Sequence, residues 1–146
     1  MHRMESKMTI KLLVIDDDTA VTDLLSLLLR SQGFEVFATN NSAEGLNMVR
    51  EIDPDLVVLD LMMPEMDGWE VCRSVRQFSQ VPIIILSALN DPSMIASVLD
   101  AGADDYLTKP TPSRVLVAHI NRLTKRTGTL RSTSLNDSFP RPLTAS

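Results

Sequence analysis

Asp55 to Gly68 read DLVVLDLMMPEMDG. The first half, Leu56-Val57-Val58-Leu59, is a short apolar run with no polar interruption, which suits a strand buried on both faces of a sheet. The run stops on Asp60. A carboxylate at the carboxyl end of a buried parallel strand lies where open α/β sheets bind their ligands, so Asp60 is a candidate for chemistry. Pro64 cannot continue a ladder, and Asp67-Gly68 offers a turn residue and a permissive backbone before the next helical pattern. Taken singly, Asp60 reads as a strand-ending aspartate that caps a turn. The groups that join it argue otherwise.

Upstream, Lys11-Leu12-Leu13-Val14-Ile15 is a second apolar run that ends in acid, Asp16-Asp17-Asp18. Thr19 or Asp18 can cap the helix that follows, whose Val21, Leu24, Leu25 and Leu28 recur at helical spacing until Gly33 closes it. Glu35 to Ala38 form a short strand. Ser42 then caps a helix carrying Leu46 and Val49, which stops before Asp53-Pro54. Downstream of Gly68, Val71, Val75 and Phe78 share one helical face, and an aliphatic strand from Ile83 to Leu86 ends on Ser87. Asp91-Pro92 opens a fourth helix with Ile95, Val98 and Leu99 facing inward until Gly102. Asp105 to Thr108 form a fifth strand that ends at Lys109-Pro110. A last helix from Pro112-Ser113 places Leu116, Ile120 and Leu123 on one stripe.

Strictly alternating strands and helices with short connections imply an α/β fold, a doubly wound parallel sheet with helices on both faces. Five strands in a chain of this size suit the flavodoxin-like order 2-1-3-4-5 in a (βα)5 arrangement. Strands one and three are then neighbours at the switch point, and Asp16, Asp17 and Asp60 meet there. Ser87 and Lys109 arrive at the same edge from strands four and five. Residues 1–9 are polar and are expected to be disordered, 10–126 form the folded unit, and 127–146, rich in Thr, Ser, Pro and Arg, read as a linker or disordered tail.

Three carboxylates at one edge repel each other by about 4 kcal/mol per pair at 4 Å with an effective dielectric near 20, which invites a divalent cation. Oxygen donors select Mg²⁺ over softer metals. The expected ligands are Asp17 and Asp60 directly, Asp16 through water, and the Met62 carbonyl. Lys109 and Ser87 remain for an anion. Acid, metal, hydroxyl and ammonium together describe phosphoryl transfer, with Asp60 attacking phosphorus in line and becoming an acyl phosphate.

The pieces LLVIDDD, VVLDLMMPEMDGWEV, IIILSAL and AGADDYLTKP together resemble a receiver domain of a bacterial two-component response regulator, over about Lys11 to Arg126. The resemblance implies that Asp60 accepts a phosphoryl group from a sensor histidine kinase, that Asp16 and Asp17 hold Mg²⁺, and that Lys109 binds the phosphate. It gives Ser87 and Tyr106 the role of a switch, which reshapes the face made by the fourth helix, fifth strand and fifth helix. In receivers resembling the winged-helix transcription-factor group that face dimerises through charged pairs. Here Val115 and His119 stand where an acid and an Arg are usual, while Asp104 and Asp105 remain. Thr111 stands where the family usually has Phe. Two other readings use similar parts: a haloacid-dehalogenase-like phosphatase and a receiver-like binding module that works without phosphate. The first places its nucleophile on strand one in a D-x-D-x-T or D-x-D-x-V pattern, whereas Asp16-Asp17-Asp18-Thr19 is followed by Ala20, and a cap domain has no room. The second commonly lacks an acid or the lysine, and both are present.

The net charge of −5 argues against this domain gripping a nucleic-acid backbone. No apolar run is long enough to cross a membrane, and the amino terminus lacks the apolar core of a secretion signal. One cysteine, Cys72, cannot form an internal disulfide, so a reducing cytoplasmic setting is expected.

Overall fold

The computed structural model describes residues 9–133, with side chains through Lys125. In chain order the elements are β1 (Lys11–Ile15), α1 (Thr19–Ser31), β2 (Glu35–Thr39), α2 (Ser42–Ile52), β3 (Leu56–Leu59), α3 (Gly68–Arg76), β4 (Ile83–Ser87), α4 (Pro92–Asp100), β5 (Asp105–Thr108) and α5 (Ser113–Thr133). The five strands are parallel in the order β2-β1-β3-β4-β5, as the alternation and the switch-point argument require. The expectation of disorder over residues 1–9 falls almost wholly outside the described residues, as does the tail from 134 onward. Helix α5 runs on to Thr133, so residues 127–133, read as linker, are helical.

The strand alternation divides the core in two. Leu13, Ile15, Val57, Leu59, Ile83 and Ile85 turn to one face and pack with Val49 of α2, Val71 and Val75 of α3 and Val98 of α4. Leu12, Val14, Leu56, Val58, Ile84 and Leu86 turn to the other and pack with Leu29 of α1 and Leu116, Ile120 and Leu123 of α5. Period-two side-chain direction on strands buried from both sides produces this division directly. Register then aligns the strand ends. Ile15 pairs with Leu59 and Leu59 with Ile85, while Ser87 pairs with Thr108, so Asp16, Asp60, Ser87 and Lys109 all emerge at one edge.

Several helical phases differ from the expectation. On α1 the buried residues are Thr22, Ser26 and Leu29, and Leu24 is 56% exposed. Small hydroxyl residues let the helix lie close to the sheet, and the Thr22 hydroxyl is satisfied by the Thr19 carbonyl at 3.1 Å. On α4 only Val98 is buried, and Leu99 is 40% exposed. Helix α3 ends at Arg76, which leaves Phe78 beyond it, exposed, with the Arg50 guanidinium 4.2 Å from its ring centre. The cap of α2 is Asn41, whose side chain accepts from Glu44 N–H. Ser42 is instead buried, and its hydroxyl donates to the Met66 carbonyl at 2.6 Å, tying α2 to the loop after β3.

The phase of α1 sets an expected outcome. Leu29→Ala should cost about 2–5 kcal/mol by the cavity it leaves, whereas Leu24→Lys should stay within about 0.5 kcal/mol of the parent. Urea unfolding of both variants measures this, and a large loss at Leu24 would show that the helix is turned the other way.

Candidate functional site

Asp60 follows β3 and keeps its place by its own backbone: its N–H donates to the Ile15 carbonyl at 3.0 Å, extending the ladder one step past the strand. The loop after it folds back so closely that a Cβ on Gly68 would lie 2.7 Å from the Asp60 carbonyl oxygen and 2.8 Å from Leu61 Cα. Gly68 therefore serves close approach rather than a left-handed backbone, since it does not have a positive φ. Its N–H closes the loop on the Leu61 carbonyl at 3.0 Å, and Asp67 with Glu70 forms a reciprocal capping box at the start of α3.

The three expected acids come together. One carboxylate oxygen each from Asp16, Asp17 and Asp60 lie within 4.8 Å of one another, with Asp16 and Asp60 buried and Asp17 exposed. Burial, then the charge of Asp16, pushes the Asp60 carboxyl above the usual carboxylate range, against the pull of Lys109, the Met62 N–H and the Ser87 hydroxyl. Hard oxygen donors at this spacing, two of them shielded from water, fit Mg²⁺. The Lys109 ammonium bonds Asp16 Oδ2 at 2.8 Å. Burial opposes its charge, but the Asp16 hydrogen bond and the charges of Asp16 and Asp60 outweigh that and raise its pKa. Lys109 N–H is fixed by the Ser87 carbonyl at 2.8 Å, and the peptide bond to Pro110 is cis.

Ser87 is fully buried, and its Oγ accepts from Leu89 N–H at 3.3 Å. Tyr106 is half-buried against the core of the α2-α3-α4 face, and its hydroxyl donates to the Leu89 carbonyl. Burial raises the Tyr106 pKa, so the phenol remains a donor at neutral pH.

Sequence reasoning missed Asn40. Its side-chain amide donates to the Asp16 carbonyl at 2.8 Å and to Thr22 Oγ1 at 3.0 Å, holding the acidic loop from the neighbouring strand. The signal was its place just after β2, beside the end of β1. Asp18 also braces the loop, its N–H donating to Asp16 Oδ1 at 2.9 Å while its exposed side chain caps α1. Asp104 and Asp105 are both engaged within the chain. Asp104 pairs with Arg76 at 2.9 Å, and Asp105 pairs with Arg122 at 2.6 Å and with His119.

The response regulator receiver domain model matches residues 12–121. The chain belongs to this family, and so is a receiver of the kind that two-component systems use for phosphorylation-activated signalling. It is 46% identical over 115 residues to the transcriptional regulatory protein AfsQ1 of Streptomyces coelicolor, covering 79% of this chain and 51% of that protein. It is 41% identical over 116 residues to the DNA-binding response regulator MtrA of Mycobacterium tuberculosis, covering 80% and 51%. The chain thus spans about half the length of the curated relatives it matches. Among solved structures, the Francisella response regulator 1452 receiver domain superposes with a TM-score of 0.78 at 34% identity, covering 82% of this chain and 99% of that one. The beryllofluoride-activated RstA receiver domain of Klebsiella pneumoniae gives 0.76 at 31%, covering 79% and 98%. The phosphatase and phosphate-independent readings are not favoured.

The raised pKa of Asp60 carries a sign. The folded state holds this proton more tightly than the unfolded chain, so the associated stability is full below the unfolded value and is lost as pH rises through the folded one. Asp60→Asn should therefore raise Tm at pH 7 in chelator-containing buffer, with the gain shrinking as pH falls toward the ordinary carboxylate range. Thermal melts across that range measure it; a lower Tm at pH 7 would mean that the ionised carboxylate costs nothing.

Proposed function

We propose that Asp60 is the phosphoacceptor of this receiver, that Mg²⁺ is held by Asp16, Asp17, Asp60 and the Met62 carbonyl, and that the donor is a sensor histidine kinase. The observation that carries this is a buried carboxylate that feels the charges of both Asp16 and Lys109, with the Ser87 hydroxyl bonded to it. Mg²⁺, when bound, offsets the negative charge of the carboxylates and of the phosphoryl oxygens. The Asp60 oxygen forms the bond to phosphorus, the bond to the donor nitrogen breaks, and the electron pair leaves with the imidazole. The Lys109 ammonium, which has three N–H donors, keeps one on Asp16 and turns others to the phosphoryl oxygens. The Ser87 hydroxyl donates to another phosphoryl oxygen. The chain assists its own phosphorylation and dephosphorylation without turning over a separate substrate. The cytoplasm, where a kinase phosphorylated from ATP would meet it, is the proposed compartment, and among the described residues no helix is long and apolar enough to cross a membrane. We place the receiver unit at residues 10–126, with α5 continuing beyond it.

Acetyl phosphate with Mg²⁺ should add one phosphoryl group by intact mass, and Asp60→Asn or chelation should abolish the gain. An Asp60→Asn chain that still gains the group would remove the assignment.

Phosphate arrival would act on Ser87 and Tyr106 and so on the α4-β5-α5 face, which we propose controls an output domain or partner by homodimerising. The names of AfsQ1 and MtrA support a transcriptional output for a longer protein, with DNA contact left to another domain. The face offers exposed Leu99 and Val115, while Asp104 and Asp105 are already paired inside the chain. Beryllofluoride should therefore shift the chain to a dimer in sedimentation velocity, with association changing less than about threefold between low and high salt. An unchanged mass rejects the dimer, and dissociation at high salt rejects the apolar contact.

A further inference from the structure

A hollow of about 440 Å³ opens beside Asp60, walled by Met62, Trp69, Leu89 and Met94, with Asp67 as its charged residue. Its walls continue those of the acidic site. The Met62 N–H hydrogen-bonds the Asp60 carboxylate, and the Leu89 N–H donates to Ser87 Oγ. Trp69 is fixed in place because its indole N–H donates to Ser97 Oγ of α4 at 3.0 Å. The Asp67 carboxylate is already occupied in capping α3, where it accepts from Glu70 N–H at 3.0 Å, so the surface presented to a ligand is apolar. Met62 and Met94 nevertheless stand 57% and 39% exposed. The volume is that of a small-molecule site, larger than the two-carbon acetate group requires.

An in-line displacement sends the leaving group away from the attacking Asp60 oxygen, and the hollow begins at Met62, whose N–H holds that carboxylate, and at Leu89, bonded to Ser87. We infer that the leaving group of a phosphodonor docks in this hollow, so that the chain takes phosphoryl groups faster from acyl phosphates with an aromatic leaving group than from acetyl phosphate. This rests on the reading of Asp60 as phosphoacceptor. With benzoyl phosphate, the Asp60 oxygen bonds to phosphorus, the bond from phosphorus to the benzoate oxygen breaks, and the electron pair departs with benzoate. No other reactant and no proton transfer is needed.

The test compares benzoyl and acetyl phosphate in Mg²⁺ buffer by time-resolved intact mass, each rate divided by that donor's spontaneous hydrolysis in the same buffer, which breaks the same phosphorus–oxygen bond. The expected ratio is at least about fivefold in favour of benzoyl phosphate, within what one apolar group gains in a matching pocket. Met94→Gln and Leu89→Gln should each bring the ratio toward one. Trp69 is the chain's single tryptophan, so its fluorescence should respond saturably to phenylphosphonate at lower concentrations than to methylphosphonate. A wild-type ratio within about twofold of one overturns the inference while leaving the phosphoacceptor intact. So does a preference that survives both substitutions without a fluorescence response. Failure of both donors to add any mass overturns the reading of Asp60 and this inference with it.

Discussion

Three carboxylates held within 4.8 Å of one another are the constraint around which the carboxyl edge of the sheet is arranged. At about 4 kcal/mol per pair, at 4 Å with an effective dielectric near 20, their repulsion rivals the net stability of a whole domain, about 5–15 kcal/mol. The strands beneath supply the opposing force. Leu12 to Ile15 and Leu56 to Leu59 are buried on both faces and locked in register, so Asp16 and Asp60 cannot separate without breaking the core. Lys109 relieves part of the charge by pairing with Asp16, and Asn40 holds the loop backbone from the side. What is left over is a buried acid at Asp60 whose ionisation remains costly, which is the condition in which a cation or a phosphoryl group finds its binding energy.

The strands were the most legible part of the sequence because a residue buried on both faces leaves no choice of phase. Each of the first, third and fourth runs could be read to its end, and the polar residues at those ends, Asp16, Asp60 and Ser87, meet at one edge of the sheet. The helices left more choice. Leu24 and Leu25 sit side by side on α1, and nothing local says that Thr22 and Ser26 take the inner positions; the close approach of α1 to the sheet decides it. The same holds for α4, of which Val98 alone is buried. Asn41 and Ser42 both suit a helix cap, and the choice fell to Asn41 because the Ser42 hydroxyl is needed by the Met66 carbonyl across the molecule.

The pairing of Lys109 could not be read at all. Sequence order brings the lysine to the edge, but whether its ammonium meets Asp16 or Asp60 depends on the reach of a flexible stem in three dimensions. Asp104 and Asp105 show the same limit from the other side. As letters they are two acids available to a partner, yet Arg76 lies 28 positions before one, and His119 and Arg122 lie 14 and 17 positions after the other. The α4-β5-α5 face is thereby less charged than its composition suggests, and its exposed Leu99 and Val115 gain weight.

Leu89 is where the acidic site, the hollow and Tyr106 of β5 join. Its N–H is held by Ser87, its side chain walls the hollow, and its carbonyl accepts the Tyr106 hydroxyl. A phosphoryl oxygen that draws the Ser87 hydroxyl toward itself changes the acceptor that Leu89 N–H sees. The loop between β4 and α4 then has reason to move, and Tyr106 loses or follows its carbonyl partner as it does. Because Ser87 is fully buried and Tyr106 only half-buried, the inner end of this chain of hydrogen bonds has the tighter packing and the outer end the greater freedom. If Asp60 takes the phosphoryl group as proposed, the added charge would pass outward through one residue, and the same residue that would admit an apolar leaving group would be the one whose displacement announces that the transfer has taken place.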